Sequence, residues 1–187
     1  MTRLAFILCA AALVAAPGLR AAEVSPQAAA IRKQIVDVER SIDRRFRSLQ
    51  DAQPMTLLGA ARGVYLDGYG AVFTLEVNLY PSAALSPFRQ SYSEEEKRQL
   101  NVRKKQRLED LEEKAREILV EESAKLTGLP DGEKIALAVS LFHFAWEDLT
   151  GLPRQLVMAA AQDLLAQARS GSLDVADMRR KFAPEYF

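Results

Sequence analysis

Apolar residues change their spacing several times along this chain, and each change marks an element. From Ala28 through Ile31, Ile35, Val38, Ile42 and Leu49 they recur at steps of three and four, with only Arg45 breaking the series. That is the period of an amphipathic helix. Ser25-Pro26 supplies a cap and a first-turn proline, so the pattern predicts a helix over about 26–51. Between 57 and 80 the period becomes two, and the chain reads as two strands folded on Asp67-Gly68. With a two-residue loop, Leu66, Val64, Arg62, Ala60 and Leu58 face Tyr69, Ala71, Phe73, Leu75 and Val77 on one apolar side. Gly59, Ala61, Gly63 and Tyr65 then share the other side with Val72, Thr74, Glu76 and Asn78. The glycines there admit a close approach or mark a bulge, and the approaching group is another part of the chain or a bound segment or ligand. Arg62 is either a side chain snorkelling from the sheet edge or a buried cation with a carboxylate partner.

Pro81 and Pro87 bracket a short loop, after which Ser93 and Glu96 form a capping box. The longest helix is predicted over about 94–126, ending at Thr127-Gly128 with glycine in the left-handed position. Its second half carries a seam of Leu108, Leu111, Ala115, Ile118 and Leu119, whereas its first half offers only Leu100 and Val102 and is expected to project from the core. A third strand, about 134–146, is apolar on both sides and is therefore expected to be central and covered on both faces, or at least far along its length. The stretch 154–161 reads equally as a fourth strand or as the start of a helix. Ser172 is expected to cap a last short helix near 173–182, leaving the tail APEYF to dock or fray. The order predicts an α+β domain: a small, mostly antiparallel sheet packed with the helices on one face.

The N-terminus changes the picture of location. One positive charge at Arg3, thirteen apolar residues from Leu4 to Ala16, a Pro17-Gly18 break and the small pair Ala21-Ala22 have the layout of a secretory leader. Cleavage near Ala22 predicts an exported protein, periplasmic or secreted, with residues 23–187 as one domain and no membrane-spanning segment left. Removing Arg3 and Arg20 leaves 23 basic against 25 acidic residues, a net charge near −2, which draws the protein to no nucleic acid. Cys9 is the one cysteine and lies in the leader, so the remaining chain has no thiol or disulfide chemistry.

Catalytic patterns are scarce. His143 is the sole histidine, there is no G-x-S-x-G nucleophile motif, and GVYLDGYG lacks the Gly-Lys-Ser/Thr ending of a phosphate loop. No cofactor and no metal is expected. Trp146-Glu147-Asp148 sets two acids beside an indole, the raw material of a glycoside hydrolase, but neighbours on a strand face opposite ways. What stands out is charge: Arg98, Arg103, Lys104, Lys105 and Arg107 cluster on the first half of the long helix. That cluster is either a solvated face or a docking patch for an acidic partner or, weakly, an anionic surface. With Arg62 and Tyr65 on the hairpin, these residues are the candidate partner-binding set. The resulting expectation is a non-enzymatic interaction or structural module, joining a protein partner or a second copy of itself. The alternative is a carrier or sensor holding a small apolar ligand among Phe142, Phe144, Trp146 and Met158.

Overall fold

A computed structural model describes residues 26–50, 55–83, 85–87 and 91–187, the side chains of 48–50 excepted. The leader, the Ser25 cap and Leu49 lie outside the described residues or side chains. Helix α1 (Pro26–Gln50) is followed by strands β1 (Thr56–Leu66) and β2 (Gly70–Asn78), helix α2 (Glu94–Glu122), strands β3 (Lys134–Leu141) and β4 (Gln155–Ala161), helices α3 (Gln162–Arg169) and α4 (Val175–Lys181), and a short β5 (Glu185–Tyr186). The strands lie in the order β1-β2-β3-β4-β5. Only β2 and β3 run parallel, joined by α2 as the crossover; the other three neighbours are antiparallel. This is the mixed α+β, mostly antiparallel arrangement the sequence predicts.

One face of the sheet carries the core. Ala71, Phe73, Leu75 and Val77 of β2, Ile135, Leu137, Val139 and Leu141 of β3, and Leu156, Met158 and Ala160 of β4 are all buried. They form one cluster with the seams Ile31, Ile35, Val38, Ile42 and Phe46 of α1 and Leu111, Ala115, Ile118 and Leu119 of α2. The two helices are also fastened by charge. Glu122 of α2 is buried and accepts hydrogen bonds from Ser41 Oγ and Arg45 Nε of α1, each at 2.9 Å, and from Lys125 Nζ at 2.5 Å. Arg45, the one break in the α1 seam, therefore sits there because α2 brings it carboxylates, Glu121 and Glu122.

The hairpin differs from the sequence expectation by one residue, and the difference inverts β1. Leu66 pairs with Gly70, Val64 with Val72 and Arg62 with Thr74, so the loop has three residues, Asp67 to Tyr69. A two-residue type I′ turn needs positive φ at both central positions, and Asp67 does not adopt it. Gly68 (φ 75°) and Gly70 (φ 126°) take the positive values instead, and Tyr69 N donates to Leu66 O at 3.0 Å. Because side chains alternate, the slip sends Ala61, Gly63 and Tyr65 toward the helices and Arg62, Val64 and Leu66 to the opposite face. A bulge with Gly59 at φ 81° separates this register from Leu58 opposite Glu76.

The thin glycine face is therefore the core face of β1, and α1 is the group that approaches it. A Cβ on Gly63 would lie 2.4 Å from Ile35 Cγ2 and 2.7 Å from the Phe73 ring. The helix also satisfies the strand's outer edge, since Asp43 Oδ1 accepts from Ala61 N at 2.8 Å and Glu39 Oε1 from Gly63 N at 2.6 Å.

Three further boundaries move. The third strand is central, between β2 and β4, but only its Ile135, Leu137, Val139 and Leu141 side meets the helix layer, so it is not covered on both faces; it stops at Leu141 rather than near 146, because Phe142 to Arg154 form a loop held by α2. The fork at 154–161 resolves as strand, with α3 starting at Gln162. α2 closes through a 3-10 turn, Ser123–Lys125, rather than on a left-handed Gly128; that glycine instead lets the chain pass α1, its amide donating to Gln34 Oε1 at 3.1 Å. The Ser93/Glu96 capping box forms as expected, α4 is capped by Asp174 rather than Ser172, and the tail docks as β5.

Overpacking a filled site costs about 1–3 kcal/mol. Gly63→Ala is thus expected to lower stability by that order in a thermal or urea melt, while Val64→Thr on the opposite face stays within about 0.5 kcal/mol. Equal effects would refute the face assignment.

Candidate interaction surface

The inverted register gives the sheet a second face with no helix upon it among the described residues. Its rows follow from the pairing: Leu58, Glu76, Ser140 and Gln155; then Arg62, Thr74, Ala138 and Val157; then Val64, Val72, Ala136 and Ala159; then Leu66, Gly70, Lys134 and Ala161. Val64 and Leu66 are 48% and 47% exposed, unusual values for branched aliphatic residues on strands. Beside the bulge lies an open hollow of about 490 Å³, floored by Gly59, Ala60 and Leu75 and rimmed by Arg62 and Glu76. Chemically the face is made mostly of small side chains, apolar across its middle, and charged at both ends, by Arg62 and Glu76 beside the bulge and by the exposed Lys134 beside the Leu66 end of the hairpin.

The basic cluster of α2 does not form a single patch. Arg98 is exposed and pairs with Glu95, and Arg107 is held by Asp110 at 2.7 Å. Arg103 lies over the Tyr80 ring, 5.4 Å from its centre, and donates to its hydroxyl at 3.3 Å. Lys105 is exposed and runs against Gly151. Lys104 is withdrawn from the set altogether: its side chain is 1% exposed and its ammonium lies 2.5 Å from Glu147 Oε2, itself 1% exposed. The first half of α2 is therefore packed on the β3–β4 loop rather than projecting. Asn101 completes the grip, donating to the carbonyls of Asp148 at 2.9 Å and Thr150 at 3.1 Å. A signal for this was present in the sequence, because Lys104 stands midway between Leu100 and Leu108 on the apolar stripe.

Arg62 stands exposed on the open face, neither buried nor tucked under the sheet. Tyr65 is not beside it; it faces the helix layer, donating to Glu133 Oε1 at 3.0 Å. Partial burial together with Glu133 and Asp67 pushes the Tyr65 hydroxyl up to about 12, so it stays protonated and donates.

The acids that suggest glycoside chemistry are both engaged. Burial alone would push the Glu147 carboxyl up, but the neighbouring His143, with Nδ1 at 3.5 Å, and the Lys104 ammonium hold it below the ordinary carboxylate range. A general acid needs the opposite shift. Asp148 accepts from Thr150 N at 2.9 Å, and that bond lowers its carboxyl too. The aromatic set of the carrier reading is also divided. Met158 lies in the core, while Phe142, Phe144 and Trp146 form a ladder that continues to Tyr92, stacked 3.9 Å from Trp146. A separate groove of about 640 Å³ opens between α2, α3 and α4, floored by Val120, Ala168 and Met178 and flanked by Arg116, Arg169 and Arg179 together with Glu113, Glu117 and Glu121.

Comparison with protein families, with curated proteins and with solved structures finds no match to this chain, so its function is read from its own geometry. No helix among the described residues is long and apolar enough to cross a membrane.

Removing one partner of a buried ion pair costs roughly 3–5 kcal/mol, because the other charge is left unsolvated. Lys104→Met is expected to show that loss in denaturant titration, and Lys104→Met/Glu147→Leu to recover most of it. The Glu147 carboxyl is lower in the folded than in the unfolded state, so its contribution is complete above the ordinary carboxylate value of about 4 and disappears as pH falls below it. Glu147→Gln should accordingly flatten the decline in stability as pH falls below about 4. An unchanged decline would show that the pair does not carry it.

Proposed function

We propose that this chain is an exported, non-enzymatic interaction module, working in the periplasm or outside the cell. The observation that carries the reading is the open sheet face, where Val64 and Leu66 stay exposed on strands whose other side builds the core. Exposed aliphatic rows on a flat sheet lose unfavourable hydration when another surface covers them. The polar rows containing Arg62, Thr74, Glu76 and Ser140 supply orientation. The exposed members of the basic cluster, Arg98, Arg103 and Lys105, are on a helix and loop region apart from that face and add, at most, a weak contact to an anionic surface. Export is supported by the leader-like pattern at Arg3 to Ala22, which lies outside the described residues.

A small-ligand carrier is the second reading, and the groove between α2, α3 and α4 favours it over the aromatic ladder. Its apolar floor suits a small apolar ligand, its flanking arginines Arg116 and Arg179 being paired with Glu113.

A photo-crosslinking residue placed at Val64 tests the docking surface in living cells expressing the full chain. The expected result is a discrete crosslinked species at position 64 that is absent when the same residue replaces Glu109 on the exposed side of α2. Equal, diffuse crosslinking at both positions would remove the open face as a docking site.

A further inference from the structure

We infer that the occupant of the open sheet face is a second copy of this chain, packed face to face about a two-fold axis. The inference rests on the reading of that face as a docking surface and adds the identity of what covers it. The charges argue for a copy. Arg62 and Glu76 are both exposed and are diagonal neighbours, since Arg62 pairs with Thr74 and Glu76 lies two residues further along the same strand. Neither makes an ion pair within the described residues, unlike Arg45, Arg107 or Arg116, each of which meets a carboxylate of its own chain. The corner of the face that bears this cation and this anion side by side, away from the exposed Lys134 at the start of β3, is complementary to its own image. A two-fold axis passing between the two sets Arg62 of each copy over Glu76 of the other, so a single rotation forms both pairs.

Shape agrees with charge. Face-to-face sheets stand about 10 Å apart, with the side chains of both filling the gap. Toward the centre of this face the residues are Thr74, Ala136, Ala138, Ser140, Val157 and Ala159, with no long side chain to hold a second sheet away. The hollow beside the bulge gives room at the corner where the two arginines enter. Val64 and Leu66, exposed aliphatic residues of β1, lie on the same face. Other edges of the sheet are not offered in this way: α1 carboxylates hold the Ala61 and Gly63 amides of β1, and the tail strand pairs with the start of β4.

The test is the solution mass of the protein purified from cells expressing the full chain, its N-terminus fixed by mass spectrometry, followed by light scattering over a roughly hundredfold range of concentration. A dimer is expected. Arg62→Glu alone and Glu76→Arg alone should each raise the dimer dissociation constant at least about tenfold. Mixing these two variants should restore dimers as heterodimers. In the mixed dimer the carboxylate introduced at position 62 of one copy meets the guanidinium introduced at position 76 of the other, and the unaltered Glu76 of the first meets the unaltered Arg62 of the second. Both positions are exposed, so the circular dichroism of each variant should match the parent; if one variant misfolds, Val64→Lys replaces it and is expected to give a monomer. A monomer at every concentration overturns the inference, as does a dimer indifferent to both single reversals. The two readings fail separately. A monomer that nevertheless crosslinks at position 64 to a different protein sinks self-pairing and leaves the docking surface standing; a monomer with no discrete crosslink sinks both.

Discussion

The close seating of α1 on β1 is the constraint from which the rest of the architecture follows. A strand at the edge of a sheet carries amides with no partner, and here Glu39 and Asp43 accept from two of them. For those carboxylates to reach, the helix must come down on the strand until Ile35 occupies the space a side chain at 63 would fill. Glycine and alanine on β1 are thus the cause of the helix's position, and the position decides which side of the hairpin is core. Everything apolar on the other side of β1 is then left facing outward.

The helix layer is held by a mixture of apolar burial and two buried carboxylates. Glu122 ties α1 to the end of α2 with two cations and a hydroxyl around it, a site in which the desolvation cost is offset by several short hydrogen bonds. Glu147 is less fully served: Lys104 occupies one oxygen, and the other has no hydrogen-bond partner among the described residues. Such a pair adds little net stability over an apolar substitute, yet it fixes where the β3–β4 loop sits, because only one placement of the loop brings the carboxylate to the ammonium. The basic half of α2 has in this way a structural task at Lys104 and an exposed one at Arg98, Arg103 and Lys105.

How far the sequence revealed this depended on whether a signal was local. The α1 period, the Ser93/Glu96 cap and the alternation of β2 are each decided within a few residues and each formed as the pattern predicts, and the apolar run of β3 formed over its first eight residues. The hairpin register turned on a loop of three residues rather than two, and a one-residue change in the loop exchanges the faces of the whole strand. Whether 154–161 became strand or helix depended on β3 and the tail offering partners on both sides, which no local pattern contains. The candidate partner-binding residues shared that limit. Charge at Lys104 reads as surface until its place on the Leu100–Leu108 stripe is weighed against a carboxylate more than forty positions away in the loop.

The parallel pairing of β2 with β3 has a kinetic consequence. The β1–β2 hairpin and the α2 helix can each form from neighbouring residues, but the centre of the sheet joins Gly70 to Lys134 and Val77 to Leu141, partners separated by the whole of α2. Closing so long a loop is slow relative to forming hairpins and helices. Until it closes, the inner edge of β2 and the core sides of both strands stand open together, surfaces of the kind that pair with other chains when left exposed. A protein of this topology reaches its finished form by one late event, the arrival of β3 beside β2.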